Sequence, residues 1–224
     1  MTQKGPLRWL SGAGWLVLGG GGNWEESETA EMDDRALALA DFTLPVVYLP
    51  TAAGSLDQGE ALIEYYADMG GPNGYVVPIL DPMAARDPVN VGRIADAGLV
   101  YIGDGDALQL TQVLWQSPAL DAIVQVFSRG AVIIGAGAGA AALGAWVMGE
   151  VEGAAGGPGW GWLPDVVVAP GFSGAENMPI LRAVLRTQQG LHGFGIPRGS
   201  ALALGPRGEV ETWGEGDITF VLAQ

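Results

Sequence analysis

The stretch "AVIIGAGAGAAALGA", residues 131–145, is an apolar run that passes into alternating glycine and alanine and then into an alanine-rich, helix-forming segment. Strand, tight turn and helix in that order are the unit from which α/β sheets are built. The turn itself admits two readings. Gly135, Gly137 and Ala140 fit G-x-G-x-x-G/A, a dinucleotide-binding turn whose glycines let backbone amides approach a pyrophosphate. Residues 135–139 also fit G-x-S-x-G, the nucleophile elbow of hydrolases, with Gly137 where the serine would stand. The first implies a nucleotide-binding protein, the second a hydrolytic scaffold without its nucleophile.

Outward from this turn, short β-rich runs bounded by Gly or Pro alternate with stretches of helical period. That order predicts a mostly parallel sheet with helices on both faces. Strands are expected at residues 15–18, 46–49, 75–80, 99–102, 132–134, 166–168 and 201–204. Between them, Leu62, Ile63, Tyr66 and Met69 recur at helical spacing, and Pro118 divides residues 106–130 into two helices. Residues 208–224 read as a C-terminal β-hairpin that finishes the sheet. Thirty-seven glycines in 224 residues exceed an ordinary share of about 7%. They sit at the ends of apolar runs without a fixed period, which suits tight strand-to-helix turns rather than a repeat. No linker-like run interrupts the chain, so residues 1–224 are expected to form one domain.

Ten Lys and Arg stand against twenty-five Asp and Glu, a formal net charge of −15. An acidic field repels nucleic-acid phosphates and anionic lipid, so neither is expected as a partner, and cationic ligands are favoured. The absence of cysteine excludes thiol chemistry and disulfides. His192, the single histidine, is expected at the surface near a helix end. Two cations precede the first apolar residues, yet Ser11, Gly12 and Gly14 interrupt that stretch, and no later run reaches the roughly 18 residues of a membrane span. A cytoplasmic protein is the expectation.

A dinucleotide turn needs an acid about 20 residues on, at the end of the next strand, to hold the ribose. The next strand, "DVVVAPGF", ends in Ala169-Pro170, and the nearer Glu150 and Glu152 fall in a Gly-rich loop. Other segments favour the elbow. "LVYIGDGDALQLTQVL" (99–114), "GAGAGA" (135–140), "GWGWLPDVVVAPGF" (159–172) and "GFGIPRGSALAL" (193–204) follow "LVLGGGG" and "VVYLPTAAG" in order. Together they resemble the S51 serine peptidases, the family of aspartyl dipeptidase (dipeptidase E) and cyanophycinase. The resemblance implies a flavodoxin-like, class I glutamine amidotransferase-like three-layer α/β sandwich.

It also implies roles. The nucleophile position is held by Gly137 and the general-base histidine position by Gly171. Pro197-Arg198 replaces a late Asp-Glu pair, and Asp104 stands for the middle glycine of the oxyanion loop. A hydroxyl attacks an acyl carbon only when a base takes its proton, and an oxyanion forms among donors rather than beside a carboxylate. The expectation is therefore a pseudoenzyme with no cofactor and no metal. It would bind a small molecule or peptide of cationic chemistry, or a protein partner, at a cleft made by Asp104, Gly105, Asp106, Gly137, Ala138 and Phe172, with a homodimer left open. The rival is a hydrolase with a rebuilt site, for which Thr51, Ser55 and Ser173 are the hydroxyls at hand. Thr51 and Ser55 read as caps of the following helix, and Ser173 as a turn residue. Asp104, Asp106, Asp165 and Glu176 are acids that would suit an amine, a guanidinium or a divalent cation if they gathered at this edge. Trp160 and Trp162 wall a pocket or pack the core.

Overall fold

Val46–Leu49, Leu99–Ile102 and Val132–Ala136 are buried along their whole length, as strands covered by helices on both faces must be. The computed structural model describes residues 7–149 and 156–223; Glu150 and Glu152 lie outside them. In chain order the strands are β1 (Leu16–Gly19), β2 (Val46–Leu49), β3 (Gly74–Val76), β4 (Leu99–Ile102), β5 (Val132–Ala136), β6 (Trp146–Val147), β7 (Gly157–Pro158), β8 (Val166–Pro170), β9 (His192–Ile196), β10 (Ala201–Leu204), β11 (Val210–Trp213) and β12 (Thr219–Val221). The helices are α1 (Ala30–Leu39), α2 (Gly59–Asp68), α3 (Pro88–Ala95), α4 (Ala107–Leu114), α5 (Pro118–Arg129), α6 (Ala138–Leu143) and α7 (Met178–Thr187). Their starts follow the expected chemistry. Asp106 caps α4 by accepting the amides of Leu108 and Gln109, and Ser117 caps α5 with Pro118 in its first turn.

The central sheet has the order β11-β10-β1-β5-β4-β2-β3. β1 to β5 run parallel, β10 is antiparallel to β1, and β11, antiparallel to β10, runs in the direction of the parallel set again. Alternation along the strands sends Val47, Val100 and Ile133 to a core shared with α3, α4, α5 and α6, and Tyr48, Tyr101 and Ile134 to a core shared with α1 and α2. This is the expected flavodoxin-like three-layer sandwich. A smaller sheet, β12-β9-β8, packs one face on the first core and the other on α7 through Val167, Ala169, Leu181 and Leu185. No helix among the described residues is long and apolar enough to cross a membrane.

Three expectations are corrected. The strand at 75–80 pairs only to Val76, because Pro78 has no N–H to continue the ladder. Residues 166–168 form β8 of the smaller sheet, not a strand of the central one. Residues 208–224 are not one hairpin: β11 pairs with β10 and closes the central sheet, whereas β12 crosses to β9, where Phe220 stacks on Phe194 and His192.

Candidate functional site

The carboxyl ends of β1, β4 and β5 bring three glycine-rich loops together. β5, Gly137 and α6 make a strand–turn–helix elbow in which Gly137 has φ 52° and ψ −111°. Its amide donates to Gly19 O at 3.1 Å. A positive φ costs a residue with a side chain roughly 1 kcal/mol, so glycine holds this turn without strain.

Asp104, in the loop after β4, reaches into the elbow. Its Oδ1 accepts the Ala138 amide at 2.7 Å and the Gly105 amide at 2.8 Å. A Cβ added to Gly137 would fall inside the Asp104 carboxyl group. The N–H after the elbow residue and an N–H from a neighbouring loop are the two donors that form an oxyanion hole in such scaffolds. Here a carboxylate of the same chain holds both. Asp104 Oδ2 is turned toward Gly21, 3.2 Å from where a Cβ on that glycine would lie.

Gly171 follows β8 with φ +63°, and its amide donates to Gly20 O at 2.8 Å, which ties it to the loop after β1 beside the elbow. A Cβ there meets only Gly20 O, at 3.9 Å, within 4 Å. Arg198 pairs with Glu28 at 2.8 Å. The Asn23 amide first, then Arg198, hold the Glu28 carboxyl below its ordinary range. Phe172 is a correction: it is 5% exposed, crosses over Gly195 and packs in the core under α7 rather than in the cleft.

Two cavities flank Asp104. A cleft of about 530 Å³ is bounded by Asp104, Gly105, Asp106 and Ala138 and by apolar Val168 and Ile180. A smaller cavity of about 290 Å³ lies against Gly21, Trp24, Tyr48, Tyr101, Asp104 and Arg198. Sequence reasoning missed this second cavity. Its one sequence signal is a tyrosine at the third position of both β2 and β4, which the register makes direct neighbours.

The other hydroxyls lack partners for chemistry. Thr51 is fully buried, and its Oγ1 has no hydrogen-bond partner among the described residues. Ser55 Oγ accepts the Asp57 amide, so neither caps α2, whose N-cap is Gln58. Ser173 makes a turn with Asn177, and its Oγ donates to Glu176 at 3.3 Å. His192 begins β9, whereas Ile196 at the other end of that strand is the one opposite Pro170. Half-buried, with Nδ1 accepting the Ala223 amide, it is a strand residue rather than a helix-end one. Asp104 and Asp106 share one cleft wall, but the four acids do not gather as a set: Asp106 caps α4, Asp165 pairs with Arg8 at 2.6 Å, and no group of three metal-ligating side chains occurs among the described residues. Trp162 stacks on Phe127 in the core, and Trp160 packs against the same core.

The sequence profile of peptidase family S51 matches residues 15–208. A cyanophycinase from Geminocystis herdmanii (strain PCC 6308) is 24% identical over 179 residues, which is 74% of this chain and 64% of the relative, so the match spans less than two thirds of that protein. A peptidase from an acI-B1 Actinobacterium superposes with a TM-score of 0.78 at 22% identity, covering 96% of this chain and 93% of its own. A peptidase E-type protein from Listeria monocytogenes EGD-e gives 0.60 at 16% identity, covering 91% and 99%. At these identities the two structures speak to fold alone.

Proposed function

The chain belongs to peptidase family S51, and from that membership we propose that it is a non-catalytic member that binds a small molecule or peptide at the cleft beside Gly137. One observation carries this reading. Asp104 Oδ1 accepts both the Ala138 and Gly105 amides, so the donors that would stabilise a developing oxyanion are taken by a resident anion. An acyl oxygen brought to the same amides would meet a carboxylate. Glycine at 137 supplies no nucleophile and glycine at 171 no proton acceptor, and His192 sits at the other end of its strand from the site.

The test is reaction with a fluorophosphonate probe, together with hydrolysis assays on aspartyl dipeptides and on cyanophycin. No labelling and no turnover above buffer are expected. Saturable turnover that survives repurification and is lost in Ser173→Ala or Thr51→Ala would establish a rebuilt hydrolase instead.

A further inference from the structure

We propose that the smaller cavity, on the Tyr48 and Tyr101 side of Asp104, is a binding site for a compact organic ammonium group. The inference rests on the non-catalytic reading in one respect: Asp104 is kept as a ligand-facing carboxylate rather than as part of a hydrolytic site. Its Oδ1 is engaged by two amides. Its Oδ2 makes no hydrogen bond among the described residues and faces Gly21, which lines the cavity.

The second observation is independent of the acid. Tyr48 and Tyr101 line the cavity and are 7% and 5% exposed, yet neither hydroxyl has a hydrogen-bond partner among the described residues. Tyr48 Oη lies against Gly103 in the cavity wall, 2.7 Å from where a Cβ on that glycine would be. Neither hydroxyl oxygen is sealed from solvent, so both open on the cavity, where an occupant with an N–H donor would pair them. Burial first, then the charge of Asp104, pushes the Tyr48 phenol up. Burial first, then Asp33, with Tyr48 and Asp104 adding, pushes up that of Tyr101. Both rings therefore stay neutral and offer lone pairs to an N–H donor.

The remaining chemistry sets the sign of the ligand. Half-buried Trp24 joins the two tyrosines, and aromatic faces attract cations. Glu25 adds a second carboxylate, while Arg198 in the same wall is already paired with Glu28. An anion would face Asp104 without compensation; an ammonium finds a free carboxylate oxygen and two acceptor hydroxyls. With each water taking about 30 Å³, the cavity of about 290 Å³ holds roughly ten non-hydrogen atoms, so an amine of about four or five carbons enters with room left for a few waters.

The experiment is a titration of ¹⁵N-labelled full chain with n-butylammonium, using 1-butanol and butyrate as controls of the same size. Butylammonium is expected to shift the Gly21, Gly22 and Gly103 amides saturably, about tenfold more tightly than butanol, with butyrate inactive. Asp104→Asn keeps an acceptor for the two amides but loses the charge, and is expected to weaken binding about tenfold. Tyr48→Phe with Tyr101→Phe keeps both rings and is expected to weaken it several-fold. Equal binding of butyrate, shifts mapping elsewhere, no saturable binding, or affinity unchanged in both variants would overturn the site. Fluorophosphonate labelling without loss of butylammonium binding would sink the non-catalytic reading alone.

Discussion

Asp104 and Gly137 share one volume: the carboxyl group of the first occupies the space into which any side chain at the second would project. The two positions therefore behave as one replacement. A serine at 137 and this placement of Asp104 exclude each other, and the Ala138 amide, 2.7 Å from Oδ1, is held by whichever anion is present. An acid at position 104 is thus tolerated here only because position 137 has no side chain.

That exclusion is measurable as a coupling energy. Gly137→Ser in the wild-type background is expected to cost about 2–4 kcal/mol. Of that, about 1 comes from the positive φ, and the rest from displacing a carboxylate whose amide bonds are worth about 1.5–3 kcal/mol each before solvent screening. In an Asp104→Gly background the same change should cost only about 1 kcal/mol. Urea denaturation of the four proteins reads the cycle; equal costs in both backgrounds would mean that the carboxylate and the side chain do not compete.

How much of this was legible beforehand differs by element. The parallel strands show as apolar runs between glycines, and the elbow as glycine spacing, because both are local patterns. The contact between Asp104 and Ala138 spans 34 residues and depends on how one side chain turns, which no local pattern records. β8 reads like a central strand because it too is buried on both faces; that it belongs to the smaller sheet with α7 is a tertiary fact. Phe172 is expected at the cleft, but the chain turns at Gly171 with φ 63° and the ring packs over Gly195 in the core with Leu181 and Leu185, a tertiary contact that no local pattern records. The pairing of Tyr48 with Tyr101 needed the β2–β4 register.

The dinucleotide reading of the same glycines predicts a ligand that the geometry disfavours. A pyrophosphate would need the Ala138 amide, which Asp104 holds, and β8 ends in Ala169-Pro170 without an acid for a ribose. NAD and ATP at millimolar concentration should leave the melting temperature unchanged. A concentration-dependent rise for either would restore that reading.

Asp33 gives a pH dependence of known sign. It is fully buried and accepts hydrogen bonds from Thr29 Oγ1 and Tyr66 Oη at 2.7 Å and from Tyr65 Oη at 3.2 Å. Burial outweighs these bonds and raises its pKa above 3.8. The folded state then holds the proton more tightly than the unfolded one, so this group's contribution is largest below 3.8 and is lost as pH rises through the raised value. Relative to Asp33→Asn, the wild type should gain stability as pH falls from 7 toward 4, by urea midpoints measured in parallel. A difference that is flat or grows the other way would refute the assignment.

On the non-catalytic reading, adding a hydroxyl, an imidazole and a free oxyanion hole one at a time tests whether a hydrolytic site can be built at Gly137. Gly137→Ser alone supplies a hydroxyl with no proton acceptor. Adding Gly171→His places an imidazole where the space is open, at a cost of about 1 kcal/mol for its positive φ, but Asp104 still holds both oxyanion donors. Both variants should remain unlabelled by a fluorophosphonate. Only the triple variant with Asp104→Gly frees the Ala138 and Gly105 amides and joins nucleophile, base and hole, so it alone should label. It should do so weakly, because Arg198, paired with Glu28, offers no carboxylate to orient an imidazole. Robust labelling of Gly137→Ser by itself would show that the rest of the machinery survives. A folded triple variant that stays unlabelled would show that Gly171 is not the base position.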